Sequence, residues 1–411
     1  MSAVRWVIAL VLVAAVGVPP TPAAVRPPRF PPSGSVAEPT QNGPSYAGAR
    51  LLVRTGQRTA DGSTFTEFSD PTLNNHGDLV FGALTTSATA HEAVYLLAGG
   101  RLHRSVASGQ SAPTGGTFVT FSDLLLNDRG TIGFLAQTTS RAAPEGVYVL
   151  RAGRAVPVVS AGDQAPTGGT FTDFANPTLN NHDVIAFVGR TGGRESILIN
   201  VEGSTTPVVV SGQPAPNGGT FEFFLDGSPA LSDQGQIAFV ASTTPHHTQG
   251  VYALVGGRPV TVVTTDDAAP QGGRFTEFGS VVLSGAGTIG FIGRTDNRVI
   301  PEGLFVTGRA ILVLLAASGQ SVPGGPLTKF ANVVMNGSEE MVFQLSLPII
   351  PLAIFLATRA GVRTVVRAGD PAPGGGRFTA FSTPSLNDPG QIAFVAETDD
   401  GRHGIYLVST R

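Results

Sequence analysis

The stretch Ser385 to Phe394, SLNDPGQIAF, decides the fold, because recognisable versions of it recur seven times between residues 73 and 394. Asn387 and Gly390 are residue types that tolerate positive φ, so the stretch reads as a tight turn entering a strand. Aligned on its final residue, the repeat places Phe81, Phe134, Phe187, Phe239, Phe291, Phe343 and Phe394 at separations of 53, 53, 52, 52, 52 and 51. A unit of about 50 residues repeated this often is one supersecondary motif stacked on itself.

Working outward, a second anchor precedes each turn as a pair three residues apart. The pairs are Phe65/Phe68, Phe118/Phe121, Phe171/Phe174, Phe221/Phe224, Phe275/Phe278, Leu327/Phe330 and Phe378/Phe381. The two anchors together hold 20 of the 24 Phe, so the rings are read as core, each contributing about 1.5 to 3 kcal/mol when fully buried. Each repeat divides into four strand-sized pieces, a to d. In the second repeat these are expected near Phe118 to Leu126, Thr131 to Gln137, Gly146 to Leu150 and Ala155 to Ser160. Four short antiparallel strands at this period define a propeller blade, so the expected fold is all-β, a seven-bladed β-propeller.

Two details sharpen this. In piece b a small residue precedes Phe, as in Gly133, Ala186, Ala238, Gly290 and Ala393, so one face of each blade offers a ring and the other a hollow. Stacked blades are then expected to interlock. The chain also ends just after the last piece c, Gly404 to Val408, while an unmatched piece d, Leu51 to Thr55, opens the repeat region. Pairing the two completes the seventh blade and closes the ring, which leaves only short outer edges.

Charged residues make up 13% of the 411, against roughly 25% in an average soluble protein, and 53 Gly with 31 Pro suit a chain of short strands. A net charge of −3 provides no basic field for nucleic acid, and without Cys there is neither disulfide nor thiol nucleophile. Residues 1–24 read as a secretory signal: Arg5, an apolar run from Val7 to Val18, and small residues about a cleavage point after Ala23. The run falls short of the about 20 residues of a membrane span, so no stable insertion is expected after cleavage. Residues 25–50, rich in Pro, Gly and Ser, read as a linker, and 51–411 as the propeller.

The turn Asn387, Gly390, Ala393, Phe394 spells NxxGxxAF, and on this motif the repeat region resembles the NxxGxxAF tandem-repeat proteins, an exported bacterial family. Only the last repeat matches strictly; Gly133 and Val80 replace Ala, Ser232 and Ser284 replace Asn, and Asp183 and Glu339 replace Gly. The resemblance implies export and repeat architecture, and carries no activity. Because the chain ends with the blade rather than an anchoring segment, a secreted or periplasmic monomer is expected.

A binding site is sought where repeats differ. Strand alternation puts the b-to-c and d-to-a loops at one end, and the b-to-c loops vary most. They carry His91, Glu92, Glu145, Glu195, His246, His247, Asp296, Glu302, Glu397, Asp399, Asp400 and His403. Of these, His91, Glu92, His246, His247, Asp296, Glu397, Asp399, Asp400 and His403 are the ligand-face candidates. His91-Glu92 lacks the second His of HExxH, and His246 and His247 would point apart on a strand, so no metal site is assigned. The acidic group Glu397 to Asp400 allows Ca²⁺ without a defined ligand spacing; otherwise no cofactor is expected. In the sixth repeat the corresponding loop, Leu345 to Ala353, is apolar and reads either as a partner patch or as packing. No catalytic residue is assigned. The expected function is a secreted binding module for an extracellular or envelope macromolecule, glycan or protein, with a propeller hydrolase or lyase acting on polysaccharide and a structural matrix protein as alternatives.

Overall fold

Glycine, proline and short β-branched runs leave strands of two to nine residues, and these assemble into a seven-bladed β-propeller. The computed structural model describes residues 48–410 apart from 152, 226, 309–310, 324 and 346–352. The expected leader and most of the linker lie outside the described residues, as does the interior of the apolar loop 345–353. Among the described residues no helix is long and apolar enough to cross a membrane.

In blade 2 the four strands are Phe118–Leu126, Ile132–Thr138, Glu145–Arg151 and Arg154–Ser160, within two residues of the expected bounds. They pair in the order a-b-c-d, all antiparallel. Blades are numbered from the N-terminus, so blade 7 holds Phe378–Phe381, Gln391–Thr398 and His403–Ser409. Its outer strand is the N-terminal Arg50–Arg54, antiparallel to His403–Ser409 with Arg50 opposite Leu407 and Arg54 opposite Gly404. The ring is closed as the termini required.

The core lies between blades rather than within them. Ala393 of blade 7 sits in one apolar cluster with Phe65, Phe68 and Phe81 of blade 1. Its neighbour Phe394 faces the other way, into Val342, Ile354 and Leu356 of blade 6. Ala238 meets the rings of blade 5, and Ala186 those of blade 4, in the same manner. Each ring is also held within its blade: Phe394 stacks on Tyr406 at 5.9 Å, and Phe378 meets Tyr406 edge-on at 4.9 Å. The motif phenylalanines are fully buried.

The motif turn adopts its expected geometry. The Asn387 Oδ1 accepts from the Gln391 amide at 2.8 Å, and Gly390 has φ +83°. Asp183 and Glu339, which replace this Gly, keep the left-handed conformation at φ +61° and +62°. Side-chain partners offset that strain: Asp183 accepts from Asn127 Nδ2 at 2.8 Å, and Glu339 pairs with Arg359.

Candidate functional site

Strand a of every blade is the innermost, because the seven a-to-b turns converge on one polar depression of about 180 Å³ at the axis. This is the turn end of the ring. Here the motif Asn has a second use that its role in the turn conceals. Asn74 Nδ2 donates to the Asn127 carbonyl at 3.3 Å, Asn127 to Asn180 at 3.0 Å, and Asn180 to Ser232 at 3.1 Å. Asn336 then donates to Asn387 at 3.2 Å, and Asn387 closes the circle on Asn74 at 2.9 Å. Ser232 and Ser284 keep the turn bond through Oγ but have no amide to send to the next blade. The following residue repeats the device. The Asn75 amide donates to Asp128, Asp128 to Asn181, Asn181 to Asp233, Gly337 to Asp388 and Asp388 to Asn75, all at 2.6 to 2.8 Å. Gly285 and Gly337 supply no side chain, so both rings lapse at the same two junctions, around blade 5.

At the opposite, loop end a clamp ties blades 1 to 6, each to the next. Glu92 Oε1 accepts from the Phe121 amide at 2.8 Å, Glu145 from Phe174 at 3.1 Å, Glu195 from Phe224 at 3.0 Å and Glu302 from Phe330 at 2.6 Å. Gln249 makes the same bond to Phe278 at 3.0 Å. Burial pushes the carboxyls of Glu92 and Glu145 above the ordinary carboxylate range, and for Glu145 the nearby Asp173 and Asp123 add to it. Glu92 therefore has a structural partner, although its place in a variable loop suggested a free ligand group.

Three consecutive blades carry paired polar side chains around the loop-end mouth of the axis, ion pairs in blades 3 and 5 and a His–carboxylate contact in blade 4. In blade 3, Arg190 bridges Glu195 (2.8 Å) and Asp173 (2.9 Å), which hold its guanidinium still more firmly protonated. In blade 4, His247 Nδ1 meets Glu222 at 2.6 Å. In blade 5, Arg294 bridges Glu302 (2.9 Å) and Glu277. On the innermost strand of blade 4 Phe223 is 41% exposed, whereas Phe221 and Phe224 beside it are buried. Blades 5 and 6 leave a cavity of about 260 Å³ beside the Arg294 group. None of Arg190, Arg294, Glu222, Phe223 or Glu277 was singled out from sequence; the signal was weak, because Glu222 stands where five blades carry Thr while the positions of the other four vary from blade to blade.

The other sequence candidates are spread over four blades. His91 Nδ1 contacts the Thr85 carbonyl at 3.0 Å, and Asp296 and Asp399 accept from the amides of Arg274 (2.7 Å) and Arg377 (2.9 Å), tying the b-to-c loop to the d-to-a loop. Asp400 pairs with Arg402, which holds its carboxyl well below the usual range. The His403 backbone bonds Thr55 at the closure. His246 and Glu397 lie exposed in blades 4 and 7. Only His247 joins the ion-pair sector. Among the described residues no three His, Asp or Glu side chains gather as a metal-holding group.

Fold and site thus define a seven-bladed β-propeller with a polar, symmetry-broken axial mouth. The chain belongs to a family of unknown function, DUF7453, whose sequence pattern matches residues 49–338 and 261–407. No curated protein matches it significantly. Among solved structures it is similar to an oligogalacturonate lyase in complex with manganese, at 12% identity and TM-score 0.54, over 89% of this chain and 98% of that one. It is similar also to a puromycin hydrolase at 13% identity and TM-score 0.50, over 84% of this chain and 52% of that one. A puromycin-hydrolyzing peptidase of Mycobacterium tuberculosis gives 14% identity and TM-score 0.49 over the same shares. The chain therefore spans about half the length of the two hydrolases, and at these identities the likeness is one of fold.

Proposed function

We propose that this chain is an exported binding module that holds a glycan at the loop end of the propeller. One observation carries the reading: an exposed ring, Phe223, lies on strand a of blade 4 beside Glu222, which His247 contacts, and at the register of Asp173 and Glu277, which pair with Arg190 and Arg294 in the flanking blades. A sugar presents an apolar CH face and a rim of hydroxyls, which a ring and fixed carboxylate and guanidinium groups match. The leader around Arg5, Val7 to Val18 and Ala23, and the resemblance to exported NxxGxxAF repeat proteins, support export to the periplasm or medium. The enzyme alternative, a polysaccharide hydrolase or lyase, is favoured by Glu145, a carboxyl whose pKa burial raises and which is set near Asp123 and Asp173.

Calorimetric titration of the full chain against cello-, xylo-, chito- and galacturono-oligosaccharides tests both. Binding of at least one is expected, weakened roughly tenfold by Phe223→Ala. Failure of every saccharide to bind, or binding indifferent to Phe223→Ala, would sink the reading. Release of new chain ends would replace it with the enzyme.

A further inference from the structure

We infer that the cavity between blades 5 and 6 is the subsite of one neutral sugar ring, and that it discriminates against uronates. The inference deepens the glycan reading and rests on it. The cavity has about 260 Å³ of space and exists because blade 5 carries Gly279 where blade 4 carries Leu225. Leu225 packs into the junction between blades 4 and 5, whereas at the next junction that space is open. A Cβ at Gly279 would already stand 3.2 Å from Ile292 Cβ, so the hollow depends on the glycine.

The walls suit one ligand chemistry. Ile292 and Phe330, both buried, give an apolar floor against which the CH face of a pyranose can lie. On the rim, Arg294 spends Nε on Glu302 and Nη1 on Glu277, while its Nη2 and Glu277 Oε1 have no partner among the described residues. Asn332, which lines the cavity, uses Nδ2 on Gln344 at 2.7 Å, which leaves its Oδ1 as an acceptor for a ligand. A donor beside two acceptors is the complement of adjacent hydroxyls, each of which donates and accepts.

Charge sets the discrimination. Glu302 is 5% exposed and fixed by the Phe330 amide and Arg294, and Glu277 takes the second guanidinium nitrogen. One cation therefore faces two carboxylates, and the cavity is net negative. A uronate carboxylate would meet repulsion from Glu277 and would find Arg294 already committed on two of its nitrogens.

The test compares cellotetraose with tetragalacturonate on the full chain, by calorimetry and by hydrogen exchange of residues 275–295. The neutral oligosaccharide should bind at least tenfold more tightly and slow exchange in that segment. Glu277→Ala, an exposed site, should weaken cellotetraose binding at least tenfold, and Gly279→Leu should abolish it. Should Gly279→Leu fail to fold, Glu277→Ala still decides. Equal or tighter binding of tetragalacturonate, protection confined to other segments, or a Glu277→Ala variant with unchanged affinity would each overturn the subsite while leaving glycan binding intact. If no saccharide binds at all, the functional reading falls and this inference with it.

Discussion

The clamp between blades gives a prediction that separates hydrogen bonding from charge. Glu145 accepts from the Phe174 amide at 3.1 Å, and burial raises its carboxyl pKa despite that bond. The fold therefore favours the carboxylate less than the unfolded chain does. Glu145→Ala removes the acceptor and leaves a partly buried amide unpaired, which costs about 1 to 3 kcal/mol. Glu145→Gln keeps an Oε1 acceptor and removes the charge, so the loss of a charge-assisted bond is offset by the loss of its desolvation cost and of repulsion from Asp173 and Asp123. Gln249, bonded to Phe278 at 3.0 Å, shows that the clamp works with a carboxamide.

The sign of the pH dependence follows from the raised pKa. The folded chain holds the Glu145 proton to higher pH than the unfolded chain does, so this group's contribution is full at low pH and declines as pH rises through the raised value. Urea denaturation at about pH 4 and about pH 8 should show Gln within about 1 kcal/mol of the parent at the lower pH. At the higher pH Gln should be the more stable of the two. Glu302→Gln serves as the opposite control, since it strands Arg294 beside a buried neutral group and should destabilise. If Glu145→Gln proves as damaging as Glu145→Ala, or if the difference from the parent does not change with pH, the reasoning is wrong.

Three further expectations concern the ring. Asn387→Ser, the replacement found at Ser232 and Ser284, should lose the Nδ2 bonds to the Asn74 carbonyl and to Gln391 Oε1, about 0.5 to 1.5 kcal/mol each, while Asn387→Ala should cost clearly more by stranding the Gln391 amide as well; equal costs in chemical denaturation would refute the double role. Phe305→Tyr should stabilise by about 0.5 to 1.5 kcal/mol, because Tyr252 donates to Asn217 in blade 4 at 3.0 Å whereas the equivalent Gln271 in blade 5 is buried without a side-chain partner. A lowered melting temperature would show that the hydroxyl cannot reach. Val53→Asp, which puts a charge where a buried Val fills the closing strand, should cost at least the about 1.5 to 3 kcal/mol of lost burial, read as a fall in the urea midpoint; an unchanged midpoint would mean that the strand does not close the ring.

The fold was legible because its determinants are local and repeated. A Phe next to Ala or Gly on one strand states which face is filled and which is hollow, and complementary termini state that the sheets close. Strand bounds in blade 2 fell within two residues for the same reason. The axial mouth was much less legible. Arg190, Glu277 and Arg294 show in a lone sequence only as scattered charges, and their meeting depends on the shifted register of strand a, which sets Asp173, Arg190 and Glu195 side by side in blade 3 and Glu277, Arg294 and Glu302 in blade 5. Phe223 looked like one more ring in an Phe-rich segment; a bulge between Phe221 and Phe223 turns it out to solvent.

The motif Asn was read correctly as a turn residue, and that reading hid half of its work. A Gly or Ser could also shape the turn, as Ser232 and Ser284 do through Oγ. Asn alone adds an amide that reaches the neighbouring blade, so its repetition follows from the circle rather than from the hairpin. The same logic locates the weakness of the circle. The Ser232 and Ser284 substitutions fall at the two junctions flanking blade 5, where Gly285 and Gly337 also silence the second ring. Gly279, which opens the loop-end cavity, belongs to that same blade. With fewer ties at the turn end and a hollow at the loop end, blade 5 is the place where the ring can adjust to a bound molecule at least cost. Hydrogen exchange in Phe275–Leu283 should therefore be faster than in the corresponding strand Phe171–Leu179 of blade 3, which is tied at both rings.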